Sequence, residues 1–218
     1  MRPVAEQSAA AAVDAASQAR ETNRLAEMAS ILENRPWVEI RDFTIDLLLI
    51  LEWPHPAINT RYGMSVSGRY RIKNLGKTPA VNVYSAQALA VRHDVHRKME
   101  NYIEDAFRRL EKKEGLFFQG ILGPGVEDVV TFSWLFPVAE PPVIGAGYVQ
   151  NELEIAIAPI VAYESNLAEG KLQTAQAFAL KLDAEPGMHR FDPDFAAIRE
   201  KGKPENLVAV RTARSRMT

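Results

Sequence analysis

The chain sets 26 Lys and Arg against 28 Asp and Glu in 218 residues, and a net charge of −2 provides no field that would gather nucleic acid or an anionic membrane. Cysteine is absent, which excludes disulfides, thiolate metal ligands and a cysteine nucleophile while leaving the redox compartment open. The length suits one domain of roughly 100–200 residues with accessory elements; no run reaches the roughly 18 apolar residues of a membrane span, and no signal-peptide pattern opens the chain.

From Val4 to Asn34 there is no glycine and, after Pro3, no proline, and Ala, Glu, Gln and Arg dominate, so residues 1–35 are expected to form a long helix that stops before Pro36. Ala5, Ala9, Ala12, Ala16, Ala19, Asn23, Ala26 and Ser30 recur in steps of four and three, a heptad seam of small residues that permits close helix approach. Alanine buries little area, so self-association through this seam is expected to be weak. Leu25, Met28 and Leu32 form a short stripe of larger residues, expected to dock the helix onto the body that follows.

Residues 36–184 read as that body, extended and antiparallel. Phe43, Ile45, Leu47, Leu49 and Leu51 alternate along a first strand, and Leu48 and Ile50 make its later part apolar on both faces, as if it lay under the helix. A Pro-rich connection, Trp53 to Asn59, leads to a strand in which Met64, Val66, Tyr70 and Ile72 alternate with Ser65, Ser67, Arg69, Arg71 and Lys73. Asn74, Gly76 and Pro79 turn the chain before Val81 and Val83 resume the extended pattern, which is the signature of a β-sandwich.

The period then changes. Val95, Met99, Tyr102, Ala106 and Leu110 define one face of an inserted amphipathic helix over residues 93–114, with Glu104–Arg108 and Asp105–Arg109 as ion pairs on the other. Beyond Gly115 a strand runs to Leu122. The segment Val129 to Phe136 alternates so regularly that it is expected near the centre of the core. Pro137 to Gly147 is an irregular loop suited to binding or to covering an edge. Leu153 to Tyr163 and Leu172 to Leu182 read as a hairpin, with Pro159 marking a bulge or an edge. The total, about seven or eight strands, suits a sandwich. Residues 185–218 are punctuated by Pro and Gly and read as an irregular, mobile tail, apart from one helical turn at Phe195 to Glu200.

The runs IKNLGKTPAVNV (Ile72–Val83) and ILGPGVEDVVTFSW (Ile121–Trp134) resemble bacterial Ig-like sandwich modules related to CARDB and fibronectin type III domains. The chain also resembles uncharacterised bacterial proteins that join a membrane segment and an Ala-rich helix to such a domain. The resemblance covers Arg35 to Ala184. It implies a mainly β, Ig-like antiparallel sandwich carrying the N-terminal helix and the inserted helix, and it implies surface or envelope association. No catalytic residue comes with it, and the inserted helix departs from the simple module.

Candidate chemistry is sparse. His93, His96 and Glu100 share a helix face and present N, N and O donors to a metal such as zinc, but a catalytic site would need another ligand or water position and an oriented second shell, and the chain has only two other histidines, His55 and His189, in loop-like contexts. Ser85, His55 and Asp46 form a Ser/His/Asp set by residue type alone, without a nucleophile elbow. Gly76 to Thr78 spells Gly-Lys-Thr, yet no glycine precedes it at phosphate-loop spacing and Pro79 opposes a following helix, so it reads as a turn. Arg69, Arg71 and Lys73, like Arg211, Arg214 and Arg216, lack the interleaved aromatic residues of a nucleic-acid surface. Trp37, Trp53 and Tyr148 are the only aromatic residues placed to form a carbohydrate platform. The expectation is therefore a non-enzymatic structural or protein-interaction module without cofactor, catalytic residue or metal, which binds a protein partner or a second copy of itself through the N-terminal helix. A metal-binding domain or metal-dependent enzyme using His93, His96 and Glu100 is the second reading, and a carbohydrate-binding sandwich the third.

Overall fold

The computed structural model describes residues 2–55, 60–91, 95–112, 117–138, 143–144, 148–149, 153–183 and 190–217. The chain is mainly β, with two principal antiparallel sheets and three helices. In the first sheet, β1 (Val38–His55), β2 (Thr60–Asn74) and β5 (Glu127–Val138) lie in the order β1-β2-β5. The second runs β10 (Arg190–Phe191), β9 (Ala168–Asp183), β8 (Ile155–Ser165), β3 (Ala80–Val91) and β4 (Phe117–Leu122), and β11 (Leu207–Met217) also pairs with β9. One apolar cluster joins the inner faces, with Ile40, Met64, Tyr70 and Phe132 contributed by the first sheet and Val83, Ile157, Phe178 and Leu180 by the second. Strand β6 (Val143–Ile144) lies within the segment expected to be a loop and pairs with β7 (Tyr148–Val149) just beyond it.

Strand β2 follows the alternation in its sequence. Met64, Val66, Tyr70 and Ile72 are buried, and Arg69 and Arg71 are exposed. Strand β1 does not keep one period. Phe43 and Ile45 point inward, the register with β2 shifts between Ile45 and Leu47, and from there Leu48 and Ile50 are the buried residues while Leu47 is exposed. A bulge inserts one residue and so exchanges the two faces of everything beyond it. The double-faced apolar stretch is thus a face switch, not a surface lying under the N-terminal helix.

Strand β8 is buried on both faces, because β9 and β3 flank it and a helix covers its outer side. That helix, α2 (Val95–Glu111), presents Met99, Ile103, Ala106 and Phe107 to Ala88, Ala90, Ala156, Ala158, Ile160, Ala162, Ala175 and Ala177. Alanines on the sheet let the helix axis come close, so most of the larger side chains are supplied by the helix, with Ile160 the large one from the sheet. The buried face is rotated from the expected one: Ile103 and Phe107 are in it and Tyr102, 43% exposed, is not. The two ion pairs foreseen on the other face are present, at 4.0 Å for Glu104–Arg108 and 3.5 Å for Asp105–Arg109.

Pro159 marks neither an edge nor a bulge. Ile157 pairs with Phe178 and Ile160 with Ala175 in one unbroken register, and Pro159 stands opposite Gln87 inside a central strand. Its missing N–H removes one ladder donor, which the flanking pairs and the packed helix outweigh. Strand β5, expected near the centre of the core, gives Val130 and Phe132 to that core but is an edge of the first sheet, because only β2 pairs with it among the described strands; Val129 and Leu135 on its other face look into solvent.

The expected irregular tail is also overturned over residues 190–217. Helix α3 (Phe195–Lys201) is capped by Asp194, whose Oδ1 accepts from the Ala197 N–H at 2.8 Å, and it ends where Gly202 at φ 76 donates its N–H to Ile198 O at 2.9 Å. Phe195 and Ile198 are buried in the common core, and Phe195 meets Tyr62 edge-on at 5.5 Å. Pro193, Gly202 and Pro204, which suggested a tail, flank this helix, and Pro186 and Gly187 lie outside the described residues. Strand β11 then pairs with β9 from Leu207 opposite Leu182 to Met217 opposite Thr174.

Candidate interaction surface

The N-terminal helix α1 (Arg2–Asn34) is 33 residues long, about 50 Å at 1.5 Å per residue. From Ala12 to Ser30 every side chain is exposed. Leu25, Met28 and Leu32, expected to dock on the body, remain 54%, 48% and 57% exposed. They lie about 160° around the helix from the alanine seam at 100° per residue. From Ala12 onward the helix therefore presents two uncovered stripes on opposite sides, the small-residue seam and a larger apolar patch near its base.

Its base is fixed by one side chain. Asn74, fully buried at the end of β2, accepts from the Trp37 N–H at 3.1 Å and the Gly76 N–H at 2.9 Å through Oδ1, and donates through Nδ2 to Thr78 O at 2.8 Å and Leu122 O at 2.9 Å. All four hydrogen-bonding positions of the amide are used. The turn it organises carries Gly76 against the chain leaving α1, where a Cβ would stand 2.3 Å from Arg35 O and 2.6 Å from the Pro36 Cα. Thr78 Oγ1 donates to Asn34 O at 2.8 Å, and Lys77 pairs with Glu33 at 2.5 Å. The Gly-Lys-Thr run is thus the socket of the helix. Its sequence signal was an Asx residue two before a glycine at a strand end, a pattern that indicates a turn and says nothing of a helix docking there.

The charged face of the first sheet is internally compensated. Arg69 stands 3.8 Å from Asp46, and Arg71 stands 3.7 Å from Asp42 and 2.7 Å from Glu127. Arg211 donates to Gln176 Oε1 at 2.5 Å. The side chains of Arg214 and Arg216 fall outside the described residues.

The set Ser85, His55 and Asp46 is not brought together: Ser85 is buried between the sheets, and Asp46 sits on the exposed face of β1. The side chain of His55 is outside the described residues, as are His93, His189 and the side chain of His96; Glu100 is exposed on α2. Among the described residues no group of three His, Asp or Glu side chains could hold a metal. Trp37 and Trp53 stand near opposite ends of β1, with Trp37 under the Arg35 guanidinium at 4.9 Å and Trp53 over Gly63, and the Tyr148 side chain is outside the described residues. The two tryptophans form no common platform.

Inside the core, Gln87 Nε2 donates to the Tyr70 hydroxyl at 3.1 Å. Burial pushes the Tyr70 phenol up to about 12, and the hydrogen bond from Gln87 works the other way. This polar cluster is closed from solvent and belongs to the packing. Comparison with family models, with curated proteins and with solved structures finds no match to this chain.

Proposed function

We propose that the protein is a non-enzymatic interaction module of the Ig-like sandwich type, in which the sheet pair is a rigid base and α1 an arm that pairs with α1 of a second copy. The observation that carries this reading is the exposure of α1 on all sides from Ala12 to Ser30 together with its anchorage at the Asn74 turn. A long isolated helix gains little from propensity alone, and helices in proteins owe most of their stability to burying a face. The alanine seam is the face with heptad continuity, and small residues there allow two helices to approach closely. The face-to-face antiparallel sheets support the resemblance to CARDB and fibronectin type III-like modules. No described helix is long and apolar enough to cross a membrane; attachment to an envelope surface is what the resemblance suggests.

Ala12→Glu with Ala19→Glu tests the arm. Glutamate preserves helix propensity while placing carboxylates in the seam, where two copies would repel. Light scattering after size exclusion, over a concentration series, is expected to give a lower mass for the variant than for the parent, with unchanged helical circular dichroism. Equal masses refute pairing through α1.

A further inference from the structure

Edge strands carry unpaired backbone donors and acceptors, and folded proteins ordinarily blunt them with bulges, short lengths or charges. Among the described residues, β1, β4 and β11 are blunted edges of the two principal sheets. Strand β1 has three register irregularities and Asp42 at φ 51. Strand β4 is 6 residues long with Gly120 at φ 78, and β11 breaks register between Arg211 and Ser215. Strand β5 carries such devices only at its ends, where Glu127 and Asp128 stand at one, with the Asp128 carboxylate accepting from the Val129 N–H at 2.7 Å, and Pro137 at the other. It pairs with β2 without a shift from Lys73 opposite Glu127 to Tyr62 opposite Val138, and among the described residues no strand pairs with its other side. Between Asp128 and Pro137 it has no charge and no proline. Its outward residues include Val129 and Leu135, 49% and 47% exposed.

We propose that β5 is a homodimer edge, joining two copies antiparallel about a two-fold axis at Phe132 into one continuous sheet. The strand is complementary to itself in that register. Val129 of one copy faces Leu135 of the other, Thr131 faces Ser133, and on the inner side Val130 faces Trp134, so the two exposed apolar residues cover each other twice. Glu127 and Asp128 fall opposite Pro137 and Phe136, so no like charges meet. A two-residue slip either way leaves Val129 or Leu135 facing a smaller polar residue or the strand end. Main-chain bonds supply the attraction and the Val129–Leu135 pairs fix the register. This interface is independent of α1.

The test uses the full chain carrying Ala12→Glu and Ala19→Glu, so that mass reads β5 alone; the α1 reading is judged separately by the difference between that protein and the parent. Adding Val129→Lys with Leu135→Lys puts lysine opposite lysine twice and is expected to halve the mass. Adding Val129→Lys with Leu135→Glu puts lysine opposite glutamate twice and is expected to keep the dimer. The two changes are six residues apart on one strand, about 20 Å, so this rescue cannot arise within one chain. As the chain has no cysteine, Thr131→Cys mixed with Ser133→Cys under oxidation is expected to form a covalent heterodimer more readily than either variant alone. A monomeric Ala12→Glu/Ala19→Glu protein, an unchanged mass for the double lysine variant, or no rescue by the lysine–glutamate pair overturns the proposal.

Discussion

Replacing Asn74 by alanine removes four hydrogen bonds at once, and the structure sets the size of the effect. The Leu122 carbonyl is buried and loses its amide partner outright, whereas the Trp37 N–H, the Gly76 N–H and the Thr78 carbonyl are partly buried and regain water in part. A net of about 1 kcal/mol per bond, with a larger share for the buried carbonyl and a discount for the other three, gives a loss of about 3 kcal/mol. Urea unfolding followed by tryptophan fluorescence would show it as a lower midpoint at unchanged slope, the sign of lost stability without a changed denatured state. Asn74→Asp keeps the acceptor and turns the donor into an oxygen facing two carbonyls, so near neutral pH it should be at least as damaging as alanine. Its folded-state carboxyl would titrate above the unfolded one, so stability should return as pH falls and the acid regains a donor. Glu33→Ala, which breaks only the exposed pair with Lys77, should leave the midpoint unchanged. A loss below about 1 kcal/mol for Asn74→Ala, within the scatter of ordinary surface changes, would refute the view that this amide holds the turn.

The Tyr70 phenol, raised by burial to about 12 from an unfolded value near 10, keeps its proton in the folded state over a range where the unfolded chain releases it. The unfolded state then binds fewer protons, so stability is intact below pH 10 and falls by up to about 1.4 kcal/mol per pH unit between about 10 and 12. Tyr70→Phe should remove that increment from the alkaline unfolding curve, and superimposable slopes for the two proteins would contradict it. Ala158→Leu, at a fully buried site under α2, should cost about 1–3 kcal/mol by lifting the helix from the sheet. Hydrogen exchange should then rise in α2 before it rises in β1 or β2, and uniform exchange across the chain would argue against α2 as a separately packed layer.

Where one period governed a whole element, the sequence was readable. Strand β2 keeps its alternation from Met64 to Ile72, and the β8–β9 hairpin follows from alternation and a turn. Strand β1 misled because a bulge exchanges faces midway, and a bulge leaves no mark in a count of apolar residues. Val129 to Phe136 misled in the opposite way: strict alternation shows that one face is buried but not whether a further strand lies alongside. The alanines of β3, β8 and β9 signalled nothing until α2 was seen to rest on them. Pro193, Gly202 and Pro204 read as an irregular tail because helix caps and chain breaks use the same residues. Of the candidate surface, the alanine seam was visible as spacing; its exposure, the Asn74 socket and the bare edge of β5 depend on topology, which no local pattern encodes.

The two sheets are unequal in a way that locates what the protein can offer to a partner. The second has both faces covered, by the first sheet within and by α2 without, and its edges are short or bulged. The first has one face in solvent, where Arg69 pairs with Asp46 and Arg71 with Glu127, and one edge, β5, that stays in register along its length. Its strand β2 also ends in the residue that seats α1. Both candidate contact surfaces are thus carried by the thinner sheet, whereas stability rests on the core between the sheets and on the α2 layer. Substitutions can therefore be sorted by readout. Changes at Asn74, Tyr70 or Ala158 should move the unfolding transition. Changes at Ala12, Ala19, Val129 and Leu135 remove no buried contact and should move only the mass in solution. An α1 seam variant that unfolded the sheets, or an Asn74 variant of parental stability, would break that separation and with it the description of α1 as an arm on an independent base.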